Sequence, residues 1–385
     1  MMKTTLLAAL LCLPLIGHSA PPTVELLFGG DVMLDDGPGK LIAAGGDPLA
    51  PIASILQSAD VAIGNLETSV ASSGTALDNK IYTFRATPQS VKVLQGRFHA
   101  MSVANNHSGD YGRDAFMETL DHLHNAGIAA FGGGANLTEA HKPYWIEKNG
   151  IRIAVLGYDE FKPRSFEAGA QWAGVAWSED SHVVADIRAA RAAGADVVIP
   201  FMHWGWEREP GPSQRQRELA KLMVQAGADA VVGSHPHVTQ GADVVLGKPV
   251  IWSLGNLVFD GFELPEAKVG WLLRLSVDKR GIRSWNTVTV RMDADGTPIP
   301  DPATPGPCGQ RGQAQVGACA TPKAPRQVNP KPKKWAATRS PAWQNSSPAS
   351  GTRRGIGTTG PRRRFPRPRP AGAHPATGCM SGSCL

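Results

Sequence analysis

The feature that most constrains the fold is a unit that occurs twice, in which a predicted helix stops at a glycine and a short apolar strand follows. Residues 193–196 (AGAD) precede the strand that leads to His203, and residues 226–229 (AGAD) precede the strand that leads to His235. A shorter copy at 58–60 (SAD) precedes a third strand. This order of helix, glycine, strand and polar cluster is typical of βαβ units. Ligands of such sheets bind beyond the carboxyl ends of the strands, so the side chains at those ends are the candidate site residues.

The polar side chains at these predicted strand ends are carboxylates, imidazoles and an amide. The set is Asp31, Glu67, Asn106, His203, His235 and His237, with His107 next to Asn106. A lone histidine is more often structural, but six suitable side chains at successive strand ends favour a shared metal site. A mixed shell of oxygen and nitrogen ligands without thiolate suits Zn, Mn or Fe. Two such ions, about 3.5–4 Å apart, would activate a water molecule and stabilise the attacking and leaving oxygens.

Two of these histidines form a His-x-His pair just beyond a strand that ends in glycine. Residues i and i+2 of an extended chain project to the same side, and Pro236 restricts the residue before it to the extended region. We therefore expect an extended backbone at His235 and imidazoles of His235 and His237 that face one point. Alone, the pair would also fit two surface histidines at the mouth of a loop.

Local patterns predict how some of the connections are made. Residues 144–148 and 152–157 flank Asn149-Gly150, which is a strong signal for a β-hairpin with a two-residue turn. The region 71–87 is interpreted as loop.

The N-terminus has the pattern of a secretory signal peptide. Residues 1–20 contain one lysine, an apolar run too short to be a convincing membrane span and small residues before a cleavage point near Ala20. An uncleaved N-terminal anchor is the alternative. No other segment is predicted to span a bilayer, so we expect the mature chain to have no transmembrane helix and to be exported to the periplasm or cell envelope, where it is soluble or peripherally attached.

The C-terminal part of the 385-residue chain differs in composition from the rest. Residues 302–385 contain 14 Lys and Arg residues and no Asp or Glu, whereas the whole chain has 39 basic and 33 acidic residues. Few of the tail residues are Leu, Ile, Val or Phe, and such a composition buries too little apolar surface to offset the entropy of the chain. We predict a domain over 24–301 and a disordered, basic, Pro/Arg-rich tail over 302–385. In an exported protein an anionic wall or capsule polymer suits this tail better than nucleic acid, and a reading-frame artefact is the other interpretation.

Four of the five cysteines lie in the tail, and the fifth, Cys12, lies in the presumed signal. We therefore expect no disulfide to hold the domain together, although pairs within the tail could form in an oxidising compartment.

Six motifs occur in a fixed order along the chain. They are GDVM (30–33), NLET (65–68), ANNH (104–107), HWG (203–205), GSHPH (233–237) and SLGN (253–256). With these motifs the chain resembles the bacterial capsule-synthesis CapA family, which is associated with poly-γ-glutamate and is itself similar to the calcineurin-like metallophosphoesterases. The resemblance covers roughly Val24 to Asp301. It implies an α/β fold, a two-sheet αββα sandwich of the metallophosphoesterase type, with a dimetal site at the strand ends.

The resemblance also implies roles for individual residues. Asp31 matches the first-motif aspartate, Asn106 the amide ligand, His107 the general acid or transition-state stabiliser, and His203, His235 and His237 the histidine ligands. The chain departs from the phosphoesterase pattern at Met33, which replaces a histidine, and at 65–67, which replaces the Gly-Asp motif of the bridging carboxylate. Glu67 is the stronger candidate to supply that carboxylate, and Asn65 is the weaker one.

Three further residues are secondary site candidates with structural alternatives. Asp110 either orients His107 or binds solvent. Trp204, next to His203, forms either a wall of the substrate site or part of the core. Asn256 belongs to the last motif and follows Gly255 and the predicted strand over 249–254.

We therefore expect an exported CapA-like protein of poly-γ-glutamate capsule synthesis, export or processing, and a metal-dependent hydrolase that acts on an anionic polymer or an envelope phosphoester. Other capsule-synthesis proteins are possible partners, and no nucleic acid is expected. The alternative is a non-catalytic capsule assembly or anchoring factor that keeps the fold. Met33 and the basic tail favour this alternative.

Overall fold

The structure, a computed structural model, describes residues 21–319. The predicted signal segment 1–20 and residues 320–385 of the predicted tail lie outside the described residues. The strands are β1 (Val24–Val32), β2 (Val61–Leu66), β3 (Ser69–Val70), β4 (Arg85–Ala86), β5 (Ala100–Ser102), β6 (Ala129–Phe131), β7 (Gly133–Gly134), β8 (Tyr144–Lys148), β9 (Ile151–Asp159), β10 (Gly174–Val175), β11 (Val197–His203), β12 (Val231–Ser234), β13 (Ala242–Val245), β14 (Lys248–Ile251), β15 (Asn256–Val258), β16 (Val269–Asp278), β17 (Gly281–Met292), β18 (Pro298–Pro300), β19 (Gly306–Gln310) and β20 (Gly317–Cys319). The α-helices are α1 (Asp36–Ala43), α2 (Ala53–Gln57), α3 (Gly112–Asn125), α4 (Leu137–Ala140), α5 (Asp180–Ala192) and α6 (Gln214–Ala226). Short 3-10 helices cover Ala50–Ile52, Pro88–Val93, Arg164–Phe166 and Pro265–Lys268.

Most of the strands form two sheets. The larger sheet has the order β20-β19-β17-β16-β1-β2-β5-β6, with β15 beside β1 and β18 beside β17, and the smaller has the order β13-β14-β12-β11-β9-β8. Strands β1, β2, β5 and β6 are parallel neighbours, as are β9, β11, β12 and β14. The βαβ organisation predicted from the repeated helix, glycine and strand unit is confirmed, and the carboxyl ends of each parallel group lie at one edge.

Side chains that alternate along the strands divide the core into layers. Phe28 of β1 packs edge-on against Phe201 of β11, with ring centroids 5.5 Å apart, in the cluster between the two sheets. Leu27 points to the opposite face, where it shares a core with Phe116 of α3. Met202 lies on the outer face of the smaller sheet, in a core to which α5 and α6 contribute. Helices therefore cover both outer faces, and the expected αββα sandwich is confirmed.

The predicted hairpin between β8 and β9 is also confirmed. Their pairing is antiparallel, and Asn149 and Gly150 in the turn have φ values of 53° and 72°. Both values lie in the left-handed region that a two-residue turn of this kind requires.

The larger sheet continues past Asp301, where the domain was predicted to end. Strand β19 pairs with β17, and a disulfide between Cys308 and Cys319 joins β19 to β20. The prediction of a disordered tail is therefore wrong for residues 302–319. The average composition of the tail does not reveal this segment, because the segment buries no large apolar surface. It is held instead by backbone pairing, by the disulfide and by an Arg311–Asp278 ion pair of 2.6 Å.

No helix within residues 21–319 is both long and apolar enough to cross a bilayer.

A chain that ends at Asp301 is expected to be less stable than one that ends at Cys319. The shorter chain loses the ladder between β17 and β19 and leaves the buried carboxylate of Asp278 without Arg311. Because each hydrogen bond contributes about 1 kcal/mol, we expect the free energy of unfolding in urea to fall by roughly 2–4 kcal/mol. Equal unfolding midpoints for the two chains would contradict the extended sheet.

Candidate metal centre

The parallel strands of both sheets deliver their polar side chains to one buried cluster. In the larger sheet, Asp31 of β1 is paired with Asn65 of β2 and with Asn256 of β15. In the smaller sheet, His203 at the end of β11 is paired with Ser234 at the end of β12. The backbone N–H of His235 donates to Asp31 Oδ2 at 3.1 Å, so the cluster joins the two sheets directly.

Glu67, which directly follows β2, occupies the centre of this cluster. Its Oε1 lies 3.6 Å from His203 Nε2, 3.7 Å from His237 Nε2 and 3.9 Å from His107 Nε2. The side chain is fully buried, and neither carboxylate oxygen has a hydrogen-bond partner. A buried carboxylate without partners is costly, and this arrangement is compatible with a bound cation.

Glu67 belongs to two groups of three possible metal ligands. One consists of Glu67, His203 and His235, and the other of Asp31, Glu67 and His237, and within each group the ligand atoms lie within 4.8 Å of one another. His235 Nε2 is a further buried atom without a partner. The donor set, with its unpartnered oxygens and nitrogen, is compatible with divalent metal binding.

Burial shifts the pKa values of several groups in the cluster. Burial, and next the charge of Asp31, raise the pKa of Glu67 well above its usual range. Burial likewise raises the pKa of Asp31. The pKa values of His203 and His235 are held well below the usual range by burial, and next by neighbouring imidazoles. The neutral imidazole is the form that binds metal.

Asn106 lies beside the first group. Its side-chain Oδ1 is 2.7 Å from His203 Nε2 and accepts from it, because an amide oxygen only accepts. The amide oxygen is therefore within hydrogen-bonding distance of the imidazole nitrogen predicted to act as a ligand with it.

Asn256 fixes the state of the His237 ring. Its Nδ2 donates to the carbonyl of Ala267 at 2.9 Å and to that of His237 at 3.4 Å, so its Oδ1 is the atom that faces His237 Nδ1 at 2.9 Å. Nδ1 must therefore carry the proton, because an amide oxygen only accepts. The lone pair of His237 is left on Nε2, which faces Glu67. Hydrogen bonds of this kind orient the histidine ligands of metal sites.

Asp110 contacts His107 in a similar way. Its Oδ2 lies 2.7 Å from His107 Nδ1, which leaves Nε2 to face Glu67. Asp110 is fully buried, so it does not bind bulk solvent, and of the two predicted alternatives the structure favours orientation of His107.

Asn65 does not offer an oxygen to the cluster. Its Nδ2 donates to Asp31 Oδ1 at 2.9 Å and lies 3.1 Å from His203 Nδ1, while its Oδ1 accepts from Asn105 Nδ2 at 3.1 Å. The structure thus gives no support to the weaker prediction, that Asn65 replaces the bridging carboxylate: its amide nitrogen contacts two of the candidate ligands. Asn105, which was not predicted, also accepts from the backbone N–H of His107 at 3.1 Å.

The His-x-His pair reaches the cluster by an unexpected backbone route. His235 and His237 have φ values of 96° and 57°, so the expected extended backbone at His235 is wrong. Residues other than glycine rarely adopt positive φ values, and those that do are concentrated at functional sites. The hydrogen bond from the His235 N–H to Asp31 holds the unusual turn.

Trp204 lies outside the cluster. It is fully buried among the residues between the smaller sheet and its helices, where its Nε1 donates to the carbonyl of Trp252 at 2.8 Å. Of the two predicted alternatives for Trp204, the structure favours core packing.

Aromatic rings that were not predicted cover the site histidines. Ring centroids are 4.0 Å apart for Phe161 and His235, 4.5 Å for Phe84 and His107, and 4.9 Å for both Phe259 and Phe262 against His237. Met33 is buried against Phe84 and Phe259. The position that holds a histidine in the phosphoesterase pattern is therefore part of an apolar flank of the cluster.

The fold and the cluster together define a class: α/β proteins with an αββα sandwich and a buried group of side chains at the strand ends that is compatible with divalent metals. The chain matches the family described as "Bacterial capsule synthesis protein PGA_cap" over residues 25–261 and belongs to that family. The predicted resemblance is confirmed.

The chain is also similar to individual proteins. It is 34% identical over 239 residues to the PGA biosynthesis protein CapA of Bacillus subtilis (strain 168). This match covers 60% of this chain and 62% of the relative. It is 30% identical over 255 residues to the capsule biosynthesis protein CapA of Bacillus anthracis. This match covers 64% of this chain and 62% of the relative. The chain thus spans less than two thirds of the length of these two relatives. Among solved structures it is similar to the NAD nucleotidase of Haemophilus influenzae, at a TM-score of 0.41 and 13% identity, with 74% of this chain and 54% of that chain covered.

Removal of the central carboxylate is expected to abolish stabilisation by metal. Excess Mn²⁺ or Zn²⁺ should raise the thermal midpoint of the wild type, since a ligand at 100 times its Kd stabilises a protein by about 2.7 kcal/mol. Glu67→Gln should lose this shift because Glu67 belongs to both groups of ligands. Glu147→Gln is the matched control, because Glu147 is an exposed residue that pairs with Arg152. An undiminished shift in Glu67→Gln would contradict a metal centre built on Glu67.

Proposed function

We propose that this chain is an exported, metal-dependent hydrolase that acts on an anionic polymer or phosphoester in poly-γ-glutamate capsule synthesis, export or processing. The observation that carries the proposal is the buried, unpartnered carboxylate of Glu67, shared by two groups of possible ligands. A centre of this form suits two divalent ions, with Mn, Zn or Fe as candidates.

The capsule role is supported by the relatives. Two of them are named as CapA proteins of PGA or capsule biosynthesis. A third, from Mycobacterium tuberculosis, is named as a probable polyglutamine synthesis accessory protein and is 28% identical over 289 residues. Since family membership covers the residues that build the cluster, the anionic capsule polymer is the first substrate to test.

We assign Asp31, Glu67, Asn106, His203, His235 and His237 as the residues that would hold the metal ions. Divalent ions bound there would supply a nucleophilic water at neutral pH and stabilise charge on the reacting oxygens. His107 would then act as the general acid or stabilise the transition state after its Nε2, which faces Glu67, has taken up a proton, while its Nδ1 stays against Asp110. Asn256 and Asp110 would hold the imidazoles of His237 and His107 in their working orientations.

Export, to the periplasm or cell envelope, is supported by the Cys308–Cys319 disulfide. Structural disulfides form and persist mainly in oxidising compartments. The pairing of β19 with β17 brings these cysteines into the domain, so oxidation would stabilise the edge of the larger sheet.

The competing function is a non-catalytic capsule assembly or anchoring factor. The observation that favours it is the apolar flank of Met33, Phe84 and Phe259, which stands where the phosphoesterase pattern has a ligand. With one ligand fewer, a single ion could serve to hold the fold rather than to catalyse.

Metal content and turnover, measured on the same variants, test the proposal. The wild type should bind stoichiometric metal and either shorten poly-γ-glutamate or cleave a phosphodiester probe. His235→Ala should lose metal, whereas His107→Gln should keep it and lose about 10²–10⁴-fold in kcat, the usual contribution of a general acid or base. His124→Gln, at an exposed histidine near the end of α3, is the matched control and should behave as the wild type does.

Two results would count against this assignment. Wild-type protein without stoichiometric metal would contradict the hydrolase. Bound metal without turnover on either substrate would instead support the assembly factor.

A further inference from the structure

Lys80, in a segment between β3 and β4 that was interpreted as loop, contacts the loop that carries His107. Its Nζ lies 2.6 Å from Asp110 Oδ1, 2.7 Å from the carbonyl oxygen of Asn106 and 3.2 Å from His107 Nδ1. All three contacts fall within residues 106–110. One ammonium group therefore contacts a candidate ligand, its histidine neighbour and the carboxylate behind that histidine.

Asp110 is the group through which Lys80 reaches His107. Its Oδ1 accepts from Lys80, and its Oδ2 accepts from the backbone N–H of Phe84 at 2.8 Å and faces His107 Nδ1 at 2.7 Å. A fully buried carboxylate is stable only with a countercharge and hydrogen bonds. Lys80 supplies that charge at Oδ1, while Oδ2 accepts from both Phe84 N–H and His107.

These contacts decide which nitrogen of His107 carries the proton. Lys80 has only donors, and a carboxylate has only acceptors. Because Asp110 Oδ2 is the nearest partner of Nδ1, Nδ1 is protonated, and the 3.2 Å approach of Lys80 to the same nitrogen is not a hydrogen bond. The lone pair is then on Nε2, which faces Glu67 Oε1 at 3.9 Å.

The segment around Lys80 depends on polar contacts rather than on apolar burial. Leu77 N–H donates to the Asp110 carbonyl at 3.0 Å, and Phe84 N–H donates to the Asp110 carboxylate, so Asp110 holds the segment at both ends. Between them, the side chains of Ile81 and Tyr82 are 91% and 68% exposed. Lys80 is therefore the inward anchor in the middle of this segment.

We propose that Lys80 is a positioning residue: through Asp110 it holds the ring of His107 with Nδ1 protonated and Nε2 towards the metal centre. The alternative is that Lys80 binds an anionic group of the substrate. Its side chain is 25% exposed, but its donors are directed to Asp110 and Asn106. The consequence for turnover rests on the proposed hydrolase function, whereas the state of the His107 ring does not.

The test compares Lys80→Met, which keeps the apolar stem and removes the ammonium, with Lys80→Arg, which restores a charged donor. Lys148→Met is the matched control, since Lys148 forms an ion pair with Asp60 at 2.8 Å on β8. The ring nitrogens are observed by NMR in protein labelled with ¹⁵N-histidine and loaded with diamagnetic Zn²⁺, and the His107 signals are assigned with His107→Gln. Circular dichroism confirms that each variant is folded.

In the wild type, in Lys80→Arg and in Lys148→Met, His107 should show one protonated nitrogen, Nδ1, and one unprotonated nitrogen, Nε2. In Lys80→Met these signals should lose that pattern and merge towards averaged shifts. An unchanged His107 pattern in folded Lys80→Met would overturn the proposal.

Kinetics on bis(4-nitrophenyl) phosphate provide the second readout. Lys80→Met should lower kcat about 10–100-fold, as the loss of an outer partner usually does, with KM unchanged, and should add no further loss in a His107→Gln background. A raised KM at unchanged kcat would show substrate binding and overturn the positioning role. A wild type without turnover would count against the proposed hydrolase, while the NMR comparison would still decide the role of Lys80.

Discussion

The structure depends on one unbalanced group, the carboxylate of Glu67. It is fully buried, neither oxygen has a hydrogen-bond partner, and three imidazole nitrogens lie within 4 Å of Oε1. Burial and the negative charge of Asp31 oppose its ionisation. A chain that folded without regard to a bound cation would gain stability by replacing such a group with an apolar side chain. The arrangement is therefore compatible with a site that binds divalent cations.

The two sheets share the task of holding this site. The larger sheet supplies Asp31 and Glu67, and the smaller sheet supplies His203 and the turn that carries His235 and His237. Strained backbone in that turn is held by the bond from His235 N–H to Asp31. Each imidazole is further fixed by a polar partner or an aromatic ring, such as Asn256 on His237. This support limits the movement of the ligands, which is what a metal centre needs for a defined geometry.

The polar part of the site could be predicted from sequence because βαβ periodicity places strand ends at one edge, and the residues there carry their own chemistry. The helices and the parallel strands could also be predicted, because glycines mark the ends of the helices and short apolar runs mark the buried strands. Phe161, Phe262 and Lys80 could not be predicted, because a loop residue gives no periodic signal and its contacts are set by tertiary structure. The turn at His235 was missed because a bond to another sheet overrides the local preference imposed by Pro236. The strands after Asp301 were missed because their pairing with β17 is a backbone interaction that composition does not report.

The most direct measurement is anomalous X-ray diffraction from crystals of the protein grown with Mn²⁺ or Zn²⁺. Two peaks are predicted, about 3.5–4 Å apart as in other two-metal sites. They should lie beside Glu67, where His203 and His235 would help to hold one ion and Asp31 and His237 the other. Crystals without an anomalous peak at Glu67, under conditions where the ion is present in excess, would contradict the account.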